Sequence, residues 1–481
     1  MLFPASARVG LRSTEKCSSD VVAIPSAIPS EFTSSMSIGG SSKSSPYYDE
    51  EAVRISQKID EELKRDYARK RDAQRRQVKV MLLGQAESGK STLQKQFQLY
   101  YAHQTLDNER PLWRPVVYFN IIKAIRMILD ELDHELSNLG SDESTEGQAV
   151  AHALAPLGDI SGDTSHLRTK LVPLISMEDS LASELSNGVS VAGGRSGVFL
   201  RAGWQALVTP LSPNRSKAAP ATGGPPPAVA HVTNLASRTL MSVQSEIDEL
   251  WKHPAVRILL NNRRIRLDES ASFFLENIKR IAQPDYLPTT VDLLNVRLQT
   301  LGVSEHSFDI ELCGTRYNWL MYDVGGARGQ RHAWVPYFDD ATAIIFLAPI
   351  SAFDQYLEED GRTNRLDDSL QLFTAICSNK LLKNSHLVLL LNKTDLLKKK
   401  LEAGIKVRKY ITSYGDRPNT YADVSEYFRA HFVQVHRRND IGRRALYAHF
   451  TSMLDIRATQ AIIVNVGEAI IRSHIARTGL A

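Results

Sequence analysis

The stretch Val78-Lys-Val-Met-Leu-Leu-Gly-Gln-Ala-Glu-Ser-Gly-Lys-Ser-Thr92 decides how the chain folds. Val78 to Leu83 is an apolar run that reads as a buried strand. Gly84 and Gly89 bracket a tight loop, and Lys90-Ser91-Thr92 opens a helix. The pattern is G-x-x-x-x-G-K-S, a phosphate-binding loop. Backbone N–H groups and the positive end of a helix wrap an anionic phosphate in such a loop. Lys90 then reaches the β- and γ-phosphates, and the Ser91 hydroxyl is a ligand for Mg²⁺.

The chain has 481 residues, enough for two or three domains, and its 43% hydrophobic and 23% charged content fits a soluble fold. A net charge of +4 is too small to argue for nucleic acid, and part of it is local, in Arg69-Lys-Arg-Asp-Ala-Gln-Arg-Arg76. Cys17, Cys313 and Cys377 lie far apart, which suggests neither a disulfide scaffold nor a zinc site and points to a reducing compartment. No apolar run is long enough to span a bilayer. Leu2 stands where N-myristoylation needs a glycine, so no myristoylation signal is read.

Residues 1–48 are Ser-rich without periodicity and read as a disordered tail. From 49 to 77 the texture is helical, and Ile55, Ile59, Leu63 and Tyr67 form an apolar stripe. A partner protein, a membrane surface or the chain's own domain could cover it. A second helical pattern runs from about Pro115 to Leu139. From about 140 to 243 Ser, Gly, Ala and Pro dominate, which reads as a mostly flexible insertion, with Val198 to Leu207 as a segment that could dock locally. Helical texture resumes at Ser245 and runs to about Gln283. Beyond Pro288 strands alternate with helices. Phe308–Leu312, Tyr317–Tyr322, Ala343–Leu347 and Leu387–Leu391 read as strands; 365–377, 421–433 and 458–475 read as helices. That alternation predicts a parallel sheet wrapped by helices. The expected division is an α/β domain of residues 78–104 and 289–481, interrupted by a helical domain of residues 105–288.

Leu391-Asn-Lys-Thr-Asp395 follows a buried strand, where ligand loops sit in doubly wound folds. The Asp395 carboxylate can accept from guanine N1–H and N2–H₂, whereas adenine would leave it unpaired. Asn392 and Lys393 would brace the loop and flank the base. Asp323, at the end of another strand, can hold Mg²⁺ directly or through water, and Gly326 sets a backbone N–H near a γ-phosphate. Thr300 can complete the Mg²⁺ shell.

Together these residues resemble the alpha subunit of heterotrimeric G proteins over about 50–140 and 245–481. The resemblance includes the helical insert before Asp285-Tyr-Leu-Pro-Thr289, Asp323-Val-Gly-Gly326, Trp334, Asn419-Thr-Tyr421 and Gly479-Leu480. It implies a Ras-like, doubly wound P-loop GTPase domain of the α/β class, interrupted by an all-α helical domain, with GTP or GDP between them. It implies that Glu87, Ser88, Gly89, Lys90, Ser91 and Thr92 contact nucleotide, and that Glu87 pairs with Arg297. It assigns Arg297 the neutralisation of charge on the transferring phosphoryl group, the one catalytic side chain. By motif position Ser270, Leu294 and Met453 line the nucleotide. It further implies a βγ dimer on the N-terminal helix, a G protein-coupled receptor at the C-terminus, an effector of unknown identity, and a cytoplasmic location, peripheral on the inner face of the plasma membrane.

The chain departs from the family at several points. Ala327 replaces the glutamine that orients the attacking water. Gln330, three residues on, stands about a helical turn away and is not expected to substitute unless the switch refolds. Ala86 replaces a loop glycine, and Thr451-Ser-Met-Leu454 replaces Thr-Cys-Ala-Thr. Thr478 stands where the family carries a cysteine. Three readings follow: a slowly hydrolysing GTP/GDP switch, a GTP-holding scaffold, or an ATP-using enzyme in which Asp395 plays no part.

Overall fold

The computed structural model describes residues 46–138, 145–186, 199–201, 227–262, 264–265, 267, 269–312 and 314–478. The expected disordered tail lies outside them up to residue 45. The chain divides into two units, Met1–Tyr67 and Ala68–Ala481. The first contributes most of helix α1 (Pro46–Arg75), which starts before the expected residue 49. Along it Val53, Ile55, Ile59, Leu63 and Tyr67 are all more than half exposed.

In the second unit a six-stranded sheet forms from β1 (Gln77–Leu83), β2 (Val303–Leu312), β3 (Thr315–Val324), β4 (Ala343–Pro349), β5 (His386–Asn392) and β6 (Leu446–Phe450), in the order β2-β3-β1-β4-β5-β6. Strands β3, β1, β4, β5 and β6 are parallel. The expectation of a parallel sheet is corrected at one edge: β2 runs antiparallel to β3, with Leu312 opposite Thr315 and Gly314 at φ +74° in the hairpin. Such a tight reversal needs a residue that tolerates left-handed backbone. The central strands β1, β4 and β5 are buried on both faces, which is why they read as continuous apolar runs. Strand β6 is only half-buried and carries Tyr447 and His449, so it gave no comparable signal.

Helices cover both faces: α2 (Lys90–Tyr101) and, later in the chain, α4 (Arg365–Cys377), α5 (Thr394–Glu402), α6 (Tyr421–Asn439) and α7 (Ile456–Thr478). One face buries Phe97, Trp319, Ile463 and Ile470, the other Phe346, Phe373, Phe428 and Phe432. This is the expected doubly wound class.

Between α2 and β2 lies a helical lobe built around α3 (Arg114–Asn138). Val117, Ile121, Ile125, Ile128 and Leu132 of α3 are fully buried. Over the described part of 140–243 the reading as a mostly flexible insertion is corrected, because Thr145–Leu154, Ile160–Ile175, Glu178–Ser186 and Pro227–Ser242 are helices, while 140–144, 187–198 and 202–226 lie outside the described residues. Leu167, Leu171, Leu174, Leu181 and Leu185 join Ala236 and Leu240 in the lobe's core. Their helical spacing is masked in the sequence by interleaved Ser, Thr and Gly, and by Pro173 inside a helix. Of the expected docking segment 198–207, residues 199–201 are among the described residues and the rest lie outside them. Phe199–Arg201 pairs in parallel with Gln299–Leu301 and sets Leu200 beside Thr300.

Candidate nucleotide-binding site

The register of the sheet brings the ends of β1, β3 and β5 to one rim, where a doubly wound sheet places its ligand. The phosphate loop leaves β1 at Gly84 (φ +146°) and enters α2 through Gly89 (φ +100°). A Cβ at Gly84 would strike the Leu347 carbonyl, and one at Gly89 the Asn392 amide, so both positions need glycine. Glu87 and Lys393 also hold left-handed backbone without being glycine, at φ 61° and 64°. Strain of this kind gathers at functional sites.

Lys90 Nζ is buried and donates to the carbonyls of Gly84 (3.0 Å) and Gln85 (2.7 Å). Burial lowers its pKa to about 8 despite the nearby Asp323 carboxylate. An anion in the loop would favour the charged form. Three hard oxygens converge beside it. Ser91 Oγ donates to Asp323 Oδ2 at 2.6 Å, Thr300 Oγ1 donates to the same oxygen at 3.1 Å, and the two hydroxyls are 3.0 Å apart. Asp323 Oδ1 is buried and has no hydrogen-bond partner among the described residues. Oxygen ligands with one orphaned carboxylate oxygen fit Mg²⁺.

Arg297 pairs with Glu87, and Glu87 also accepts from Arg365 Nη1 at 2.8 Å. Burial alone would raise the Glu87 pKa, but Arg365, Arg297 and Lys393 outweigh it and hold the carboxyl far below the usual range. The Arg297 peptide is gripped on both sides by Asn120 of α3. Its N–H donates to Asn120 Oδ1 at 2.9 Å, and Asn120 Nδ2 donates back to its carbonyl at 3.1 Å.

On the base side, Asn392 Nδ2 donates to the Ser88 carbonyl at 2.7 Å, tying this loop to the phosphate loop. Asp395 Oδ1 accepts from Ser452 Oγ at 2.8 Å. Lys393 pairs with Glu269 of the helical lobe. Gln96 Nε2 donates to the Met453 carbonyl at 2.8 Å and fixes that backbone.

One cavity is lined by Glu87, Gly89, Lys90, Ser91, Thr92, Ser270, Leu294, Arg297, Thr300, Asp323, Gly326, Asn392, Lys393, Asp395 and Met453. Ser88, the remaining residue singled out in the sequence, is fully buried behind this surface, where its carbonyl receives Asn392. Several partners were missed. Trp113, Lys95 and His306 line the cavity too, and Arg365 Nη2 donates to the Ala86 carbonyl at 2.6 Å. Asn120 left one trace, a polar residue inside the apolar run Val116 to Ile125. Gln330, three residues beyond Ala327, also lines the cavity.

A family model described as G-protein alpha subunit matches residues 53–470. The chain belongs to the G-protein alpha subunit family. It is 32% identical to the guanine nucleotide-binding protein alpha-4 subunit of Mycosarcoma maydis, over 84% of each chain. It is 29% identical to the guanine nucleotide-binding protein subunit alpha of Emericella nidulans, over 90% of this chain and 98% of that one. It is 27% identical to subunit alpha-13 of Mus musculus, over 87% and 91%. The fold is accordingly the Ras-like domain of this family with its helical domain, and the chain is a guanine nucleotide-binding alpha subunit of G-protein signalling.

Proposed function

We propose that this alpha subunit is a GTP/GDP switch in receptor-coupled signalling with slow intrinsic GTP hydrolysis. The observation that carries the reading is the meeting of Ser91, Thr300 and the half-satisfied Asp323 carboxylate beside the loop that holds Lys90. When bound, Mg²⁺ neutralises charge on the β- and γ-phosphate oxygens. Lys90 and the loop amides bind those phosphates. Arg297, once it leaves Glu87, faces the charge that develops on the transferring group. Asp395 selects guanine, Asn392 and Lys393 brace the loop and flank the base, and Ser270, Leu294 and Met453 wall the pocket.

Slow turnover is argued from position 327, where a methyl group cannot orient water, and from Ala86, which lines the same cavity. The expected rate lies below the ~10⁻² s⁻¹ of an alpha subunit with its arginine in cis. Ala327→Gln should raise single-turnover hydrolysis of preloaded GTP by at least about tenfold. Hydrolysis by the unmodified chain at an ordinary alpha-subunit rate would overturn the slow reading. ATP displacing bound GDP as well as GTP does would overturn the guanine assignment. The same two alanines favour a second reading, a GTP-holding scaffold, which gains support if Ala327→Gln has no effect.

The partners follow the family. The exposed stripe of α1 suits a βγ dimer, and the C-terminal end a receptor. The basic run Arg69 to Arg76 suits an anionic leaflet, where each charge near the surface is worth about 1 kcal/mol. A cytoplasmic location on the inner face of the plasma membrane belongs to the same reading.

A further inference from the structure

The segment 297–302, just ahead of β2, carries Arg297 and Thr300 to the cavity wall. Both of its ends are fixed. Asn120 grips the Arg297 peptide at 2.9 and 3.1 Å, and the Gly302 carbonyl accepts from the Gly325 N–H at 2.9 Å. Gly302 itself adopts φ +73° and turns the chain between the segment and β2. Between the two fixed ends Gln299–Leu301 runs as a strand that is not part of the six-stranded sheet. A strand with an open edge offers its N–H and C=O groups to another strand of fitting register.

Phe199–Arg201 takes that edge. It runs parallel to Gln299–Leu301, with Phe199 opposite Gln299, Leu200 opposite Thr300 and Arg201 opposite Leu301. The added strand comes from the insertion of the helical lobe and packs beside the lobe's helix Glu178–Ser186. Leu181 and Leu185 bury that helix in the lobe's core, and Glu178 accepts from Arg126 of α3 at 2.5 and 3.1 Å. The lobe thus reaches the switch segment through the main chain. Its reach ends opposite the residue whose hydroxyl donates to Asp323 at 3.1 Å and stands 3.0 Å from Ser91 Oγ. In strand addition of this kind the backbone bonds supply the affinity.

A GTPase switch loop is ordinarily held by the γ-phosphate and its Mg²⁺ and released on hydrolysis. We propose that Phe199–Arg201 is a built-in clasp that positions Thr300 as a Mg²⁺ ligand whether GDP or GTP is bound. This rests on the GTP/GDP reading above. Backbone pairing owes nothing to the γ-phosphate, so the middle of 297–302 stays in place after phosphate leaves. Thr300 then remains beside Asp323 and Ser91. An ordered ligand set raises apparent metal affinity, because a site competent for only part of the time binds more weakly by that fraction. The clasp also bars strand addition at Gln299–Leu301 by another chain, since the edge is already taken.

The test compares the full chain with a proline pair, Leu200→Pro/Arg201→Pro, and an alanine pair, Leu200→Ala/Arg201→Ala. Adjacent prolines remove a ladder donor whichever residue faces the partner strand, whereas alanines keep both N–H groups. Amide hydrogen exchange at 299–301 is followed with GDP and with GTPγS, together with the free Mg²⁺ at which half of the GTPγS is retained. In the unmodified chain and the alanine pair these amides should exchange as slowly with GDP as with GTPγS. In the proline pair exchange with GDP should quicken at least about tenfold, and GTPγS retention should need at least about tenfold more Mg²⁺. Exchange in β1 and α2 should stay as it is. Fast exchange at 299–301 in the GDP-bound unmodified chain overturns the clasp, and that measurement decides even where the proline pair fails to fold. A folded proline pair that matches the unmodified chain overturns it too, as does an alanine pair that matches the proline pair. An unmodified chain that binds neither GDP nor GTPγS refutes instead the GTP/GDP reading on which the clasp stands.

Discussion

Asp395 keeps one carboxylate oxygen on Ser452 Oγ, so the loop presents an acceptor whose angle is already set. Replacing it by Asn leaves one acceptor and adds one donor, which mismatches the guanine 2-amino group and matches the 2-carbonyl of xanthine. Asp395→Asn should therefore lower guanine nucleotide affinity by about 10²-fold or more and raise xanthine nucleotide affinity, read by competition against a fluorescent GDP analogue. Gain of adenine nucleotide binding instead would show that Asp395 does not meet the base edge. This residue was legible in the sequence because its chemistry is local: a strand, a turn and one carboxylate suffice to state it. The phosphate loop was legible for the same reason. Asn120, Trp113 and Arg365 were not, because each acquires its role only when a distant element swings it against Arg297, Lys95 or Glu87.

The element that delivers Arg297 and Thr300 to the site is a short helix, Thr290–Asn295, and its start is fixed by a capping box between Thr289 and Asp292. Asp292 is fully buried. It also accepts from Arg280 at 2.9 and 2.7 Å and from Tyr286 Oη at 3.0 Å. Burial works against its ionised form, but Arg280 and Thr289 outweigh it and hold the carboxyl below its ordinary 3.8. A carboxyl depressed on folding contributes stability that is complete above its unfolded value and is lost as the pH falls below it. Asp292→Asn should cost about 2–3 kcal/mol at pH 7, and urea titrations should show that gap narrowing between pH 5 and pH 3. A constant gap across that range would mean that Asp292 acts by shape rather than charge. Elements buried on both faces, such as β4 and β5, announced themselves in the sequence. Those whose burial depends on a neighbour did not: the edge strand β6, and the helices between Thr145 and Ser186 whose leucines are diluted by polar residues.

The second unit holds separate cores, one in the helical lobe and one on each face of the sheet. Polar contacts join the lobe to the sheet domain around the cavity. Lys95 Nζ donates to the Leu293 carbonyl at 2.7 Å, Asn120 grips Arg297, and Lys393 pairs with Glu269. Guanine nucleotide would touch both sides at once, with Ser270 and Leu294 on one wall and Lys90 and Asp395 on the other. Ligand that binds only the assembled state stabilises it by about 2.7 kcal/mol at a concentration 100 times Kd. Calorimetry of nucleotide-free protein in chelator should thus resolve two unfolding transitions, because each lobe keeps its own core while the bridge contributes little. Saturating GDP with Mg²⁺ should merge them into one transition at higher temperature, because unfolding either lobe then also costs the nucleotide contacts. Two transitions that persist under GDP and Mg²⁺ would show that the nucleotide engages a single lobe, and the cavity between them would lose its meaning as the switch.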